Sequence, residues 1–129
     1  MGFLKYCHPL TVDEAAAQFP KTRFVMCHFG NPWLPDAAAV LEKNANVFAD
    51  LSGLLEGLFD LDDLFEENSG YFSLLRTWLG YAGGYEKVMY GTDWPLVNME
   101  QYIHFMQCLI PEKHHEKVFY QTAKHVYHL

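Results

Sequence analysis

Three short, β-prone apolar runs punctuate the 129-residue chain: RFVMC at 23–27, VFADL at 47–51 and KVMY at 87–90. The stretches between them are far longer than hairpin turns and carry helical patterns. Strands joined that way must lie parallel, because each connection has to return the chain to the same end of the sheet, and such crossovers are right-handed. The predicted order is α-βα-βα-βαα, a single α/β domain over residues 1–129. No repeat, low-complexity tract or linker divides it.

Helix signals support this order. Thr11 and Glu14 have capping-box spacing, predicting a helix through the AAAQF run to Phe19, with Pro20 stopping it. Pro35 and Asp36 open a second helix over 36–43, where free N–H groups favour both residue types. Residues 54–68 are apolar and acidic with weak helical spacing; 71–81 is helical and ends at Gly83-Gly84. Residues 99–109 form another helix, and Val118, Thr122 and Val126 share one face of a last one.

Half the residues are hydrophobic, ample for a packed core, and 129 residues are too few for a complete eight-stranded barrel of about 250. Nine basic against sixteen acidic residues give a formal charge of −7, so nucleic acid is not an expected partner. Cys7, Cys27 and Cys108 form no CxxC pair, which suits a reducing compartment, and no apolar stretch has membrane-spanning length. A soluble, cytoplasmic protein is expected.

In parallel α/β architectures, chemistry gathers at the carboxyl ends of strands. Three places qualify: His28 with Gly30, Asn31, Pro32 and Trp33; Ser52 with Gly53; and Thr92 with Asp93, Trp94 and Pro95. A histidine and an aspartate on neighbouring strand ends can share a metal-bound water, but catalytic zinc usually has about three protein ligands, so two groups make an incomplete site. By position alone, an ordinary hydrogen-bonded strand-end histidine and a turn-capping aspartate are equally good readings. Trp33 and Trp94 could wall a pocket or simply pack.

The strings FVMCHFGNPWLPDA, NVFADLSGL and VMYGTDWP, in this order, resemble the C-terminal portion of the amidohydrolase-related family of metal-dependent hydrolases. The closing EKVFYQTAKHVYHL is similar to that family's last helix, with Thr122 where Asn is expected. The resemblance implies a partial (β/α)₈ TIM barrel whose three parallel strands are the sixth, seventh and eighth. It further implies His28 contacting metal-bound water or substrate and Asp93 ligating metal and acting as base; Trp33 and Trp94, which follow these two residues, are the candidate substrate contacts by position. His28 is a second candidate metal ligand. The implied cofactor is a divalent metal, zinc first, in the complete enzyme, with none required in this chain alone. The implied reaction is hydrolysis of an amide or lactone-type bond, or decarboxylation of an unsaturated or aromatic acid.

The family's first-strand His-x-His and fifth-strand histidine have no counterpart here, and His8 is the one upstream candidate. A chain of this kind is expected to be inactive alone and to associate, either with the missing N-terminal half of the barrel or as a homo-oligomer. The competing readings are a non-catalytic barrel remnant that self-associates, and a small doubly wound binding domain with helices on both faces of a flat sheet. His125 and His128, at i and i+3, are most simply helix-end residues, and His114-His115 solvated surface. Asp60, Asp62, Asp63, Glu66 and Glu67 lack a calcium-loop pattern and are expected on an exposed face. Cys27 is expected to point away from the side of His28 by strand alternation.

Overall fold

The computed structural model describes residues 3–129. Its three strands, β1 (Phe24–Met26), β2 (Val47–Asp50) and β3 (Val88–Met89), form one parallel sheet in the order β1-β2-β3. Phe24 pairs with Val47 and Met26 with Ala49; Ala49 pairs with Val88 and Asp50 with Met89. The strands are shorter than the apolar runs that predict them, and β1 stops at Met26 because the chain then enters the helical turn Cys27–Gly30 with its left-handed residues.

The helices are α1 (Leu10–Gln18), α2 (Leu34–Lys43), α3 (Leu61–Glu67), α4 (Ser69–Tyr81), α5 (Met99–Leu109) and α6 (Thr122–Tyr127). α1 begins before the expected capping box. Pro9 occupies the cap position, and Thr11, already inside the helix, donates its hydroxyl to the His8 carbonyl at 2.8 Å, so no box forms. α2 opens on Leu34 with Pro35 in its first turn and buries Leu34, Ala37, Ala38 and Leu41, the spacing of one helical face. The acidic run resolves into a cap: Asp60 accepts from the Asp62 and Asp63 N–H groups and starts α3. Val118, Thr122 and Val126 are all buried, but the segment holding them is a π-helical turn, Lys117–Gln121, running into α6.

The two faces of the sheet meet different partners. Phe24, Met26, Val47, Ala49 and Val88 face the main core with α2, α4 and α5, whose largest buried side chains include Phe72, Leu75, Tyr102 and Phe105. Val25, Phe48 and Met89 face the other way and meet Ala123 and Val126 of α6. β2 is thus covered on both sides. Among the described residues no helix is long and apolar enough to cross a membrane.

Three helices end on cations supplied from elsewhere in the chain. Lys87 Nζ donates to the Leu41 and Asn44 carbonyls at the end of α2, Arg76 to Cys108 and Leu109 at the end of α5, and Arg23 to His125 and Val126 at the end of α6. Each satisfies orphan carbonyls and meets the negative end of a helix dipole. Burial lowers the pKa of Lys87. α1 is tied to α2 differently: Lys43 and Asn44 both donate to the Asp13 carboxylate, at 2.8 and 2.6 Å.

Two predictions follow from this packing. Fully buried Tyr102 donates its hydroxyl to the Leu51 carbonyl and accepts from the Leu54 N–H, bridging α5 to the chain leaving β2. Tyr102→Phe strands both backbone groups and lowers stability by about 1–3 kcal/mol in urea denaturation. The Lys43 hydrogen bond, followed by that from Asn44, holds the Asp13 pKa below its ordinary 3.8. Since the folded value lies below the unfolded one, this contribution is present above about pH 4 and is lost as pH falls through the folded value. Asp13→Asn therefore flattens the acid limb of a Tm-against-pH curve between about pH 5 and pH 2.

Candidate functional site

His28, Asp50, Ser52 and Asp93 come together where the three strands end. The chain leaving β1 turns through three consecutive left-handed residues, His28 (φ 60°), Phe29 (φ 49°) and Gly30 (φ 64°). Non-glycine residues resist that region, so the surroundings must enforce it. Phe29 is completely buried, and a Cβ on Gly30 would fall 2.7 Å from the Ala37 Cβ, so the bend is wedged tightly against α2. The His28 N–H donates to Asp50 Oδ1 at 3.1 Å.

Asp50 is the residue that reasoning from sequence passed over. It ends β2 on the same face as Phe48, and its Oδ1 also accepts the Ser52 N–H at 3.0 Å and the Ser52 hydroxyl. Ser52 in turn presents its carbonyl and Oγ to His28 Nδ1, at 2.9 and 3.0 Å. The available signal was a single carboxylate inside the apolar run VFADL, since a charge entering a buried strand needs a partner. Gly53 and Gly91 allow the close approach. A Cβ on Gly53 would lie 2.4 Å from His28 Nδ1, and one on Gly91 would lie 3.1 Å from Ser52 Cβ.

Asp93 also adopts a left-handed conformation, with φ 60°. Its turn is closed by the Thr92 hydroxyl, which accepts the Trp94 N–H, and by the Asp93 carbonyl, which accepts the Leu96 N–H. Its carboxylate faces His28 instead, with Oδ2 3.7 Å from Nε2. That distance exceeds a hydrogen bond. Both side chains are about 40% exposed, so solvent reaches the gap.

The Cys27 thiol feels both carboxylates. Its pKa is raised first by burial and then by Asp50, through charge and a hydrogen bond, with a smaller effect of Asp93. Alternation fails here because the strand ends at Met26, and Cys27 begins the helical turn Cys27–Gly30. The thiol is held protonated beside Asp50, which makes it a poor nucleophile.

The remaining candidates lie apart. Trp33 and His28 both line a cleft of about 290 Å³ with Tyr6, Cys7, Cys27 and Asn31, whereas Asp93 is not part of its wall. Trp94 is 70% exposed. His8 packs on Trp33, with ring centroids 5.0 Å apart, and places Nε2 3.8 Å from Asp36. His125 packs against Phe48, and His128 Nε2 contacts the Arg23 guanidinium at 2.7 Å. His114 and His115 are half-buried rather than solvated: one stacks on Tyr85, and the other bonds the Ile110 carbonyl through Nε2. Among the described residues, no three His, Cys, Asp or Glu side chains are grouped so as to hold a metal ion.

The amidohydrolase family model matches residues 3–129. None of the curated proteins matches the sequence. Among solved structures, the chain is similar to an uncharacterized TIM-barrel protein from Bordetella bronchiseptica, with TM-score 0.69 and 19% identity over 98% of this chain and 41% of that one. An amidohydrolase from Burkholderia multivorans with bound zinc gives TM-score 0.69 and 21% identity, over 94% of this chain and 49% of that one. A candidate 2-pyrone-4,6-dicarboxylic acid hydrolase from Pseudomonas putida gives 0.61 and 21%, over 93% and 47%. The fold is therefore a partial (β/α)₈ barrel, and the chain spans less than half the length of these three structures.

The geometry makes Gly53 the most sensitive small residue of the site. Gly53→Ala places a side chain at φ +60° and pushes the His28 ring off Ser52. The expected loss is about 1–2 kcal/mol of stability from the backbone alone. Urea denaturation measures it, and a shift of the His28 ring resonances reports the displacement.

Proposed function

The chain belongs to the amidohydrolase family, and we propose that it is the C-terminal portion of a metal-dependent hydrolase, with His28 and Asp93 facing a divalent ion. The observation that carries this is the 3.7 Å gap between His28 Nε2 and Asp93 Oδ2, delivered by the ends of β1 and β3. Two donors each about 2.0–2.2 Å from one zinc ion lie at most about 4.3 Å apart, and imidazole with carboxylate is a donor set zinc accepts. The pair fits as two of the usual three protein ligands. The others would come from the part of the barrel beyond these residues, which in the family carries the His-x-His.

A bound ion there would supply Lewis acidity to polarise a carbonyl. Asp93, half in solvent and not engaged by its own turn, is positioned to take a proton from an attacking water, and His28 to orient the substrate or hold the ion. Trp33 walls the cleft beside His28 and exposed Trp94 flanks Asp93, so both serve as substrate contacts. The substrate class is an amide, a lactone or an unsaturated carboxylic acid. The 129-residue chain alone turns over little or nothing, because its ligand set is incomplete.

A second reading, a self-associating barrel remnant without catalysis, draws on the two edge strands, β1 and β3, and on exposed Phe3, Leu4, Leu58, Trp94 and Leu96. One experiment separates the two. The chain is combined with an amino-terminal barrel half bearing the His-x-His, loaded with zinc or manganese, and assayed on lactone, amide and carboxylic-acid substrates. Turnover that falls by about 10²-fold or more in Asp93→Ala supports the enzyme; equal rates in Asp93→Ala and the parent reject it. Oligomers by light scattering with no turnover in any combination favour the remnant.

A further inference from the structure

We infer that Asp50 and Ser52 are positioning residues that fix the proton of neutral His28 on Nδ1 and so turn the Nε2 lone pair toward Asp93. This deepens the metal-site reading above, on which its functional meaning rests. The hydrogen bonds leave one consistent arrangement. The Ser52 carbonyl, 2.9 Å from Nδ1, can only accept, so a proton must sit between them. The Ser52 hydroxyl has a single proton, and it points to Asp50 Oδ1, a carboxylate oxygen that can only accept. Ser52 Oγ therefore also accepts from Nδ1, at 3.0 Å. The opposite tautomer would set the Nδ1 lone pair against the carbonyl and would leave either Nδ1 or Asp50 facing Oγ without a proton.

Asp50 holds His28 twice. It accepts the His28 main-chain N–H at 3.1 Å, fixing the left-handed bend, and reaches the ring through Ser52. Gly53 lies against the ring, so that a Cβ there would fall 2.4 Å from Nδ1. Nε2 is left 3.7 Å from Asp93 as the free nitrogen. An imidazole that donates from one nitrogen to a carbonyl or carboxylate-backed group, and offers the other as a lone pair, is oriented as a metal ligand or acceptor requires.

The test is ¹⁵N NMR of the histidine-labelled chain in alkaline solution, without metal and with His28 assigned by comparison with His28→Gln. The expected spectrum shows His28 protonated at Nδ1, the tautomer that free histidine disfavours. Ser52→Ala removes the Oγ acceptor and shifts the ring resonances while the remaining carbonyl keeps most of the proton on Nδ1. Asp50→Ala, which frees the Ser52 segment, raises the Nε2–H population several-fold, and Asp50→Asn, whose amide oxygen still accepts all three hydrogen bonds, keeps the parent tautomer. If Asp50→Ala does not fold by circular dichroism, Ser52→Ala and Asp50→Asn decide. An Nε2–H tautomer in the parent chain, or ring shifts unchanged in Ser52→Ala, overturns the assignment. Because no metal is present, an Nδ1–H ring in a chain whose reconstituted enzyme lacks activity overturns the metal reading and leaves this one standing.

Discussion

At the carboxyl end of the sheet, the segments leaving β1 and β2 hang on one carboxylate oxygen. Asp50 Oδ1 accepts from the His28 N–H, the Ser52 N–H and the Ser52 hydroxyl, and in doing so ties the segment leaving β1 to the segment leaving β2. Hydrogen bonds to an ionised acceptor are about twice as strong as neutral ones, and three on one atom fix both loops relative to the strand between them. That strand, β2, is covered on both faces and cannot shift to accommodate them. The left-handed backbone of His28 and Phe29 is sustained by this tie on one side and by the fully buried Phe29 ring on the other.

Much of the fold was legible in the sequence because parallel topology follows from alternation of element types, which short apolar runs and helix caps reveal. The strand order and every helix but α3, the shared face of Val118, Thr122 and Val126, and the convergence of His28 with Asp93 follow from such patterns; α3 is an additional helix between β2 and β3, formed by only part of the weakly patterned stretch 54–68. Element ends were less legible. The turn before α1 is already helical at Pro9, so Thr11 serves inside the helix and the capping-box spacing is coincidental. Cys27 misled for a related reason: alternation presumes a strand that continues, and this one stops a residue earlier. Asp50 was hidden because its role is non-local, joining groups 22 residues apart in the chain.

The charge balance has a structural counterpart. With 9 basic residues against 16 acidic ones, cations are scarce, yet Arg23, Arg76 and Lys87 are spent on the carboxyl ends of α6, α5 and α2. Each joins elements distant in sequence, so these residues act as tertiary clamps as much as caps. With these cations committed to helix ends, the acidic site residues are left without a guanidinium or ammonium partner among the hydrogen bonds they make.

The packing of α6 against Val25, Phe48 and Met89 gives the inward face of the sheet a floor. Asp50 is the next residue of β2 on that face above Phe48, and His28 and Asp93 stand at the rim beyond it. Beneath Phe48 the apolar side chains of the chain's own tail close the sheet, so the histidine and the aspartate are open to solvent only from the strand ends outward.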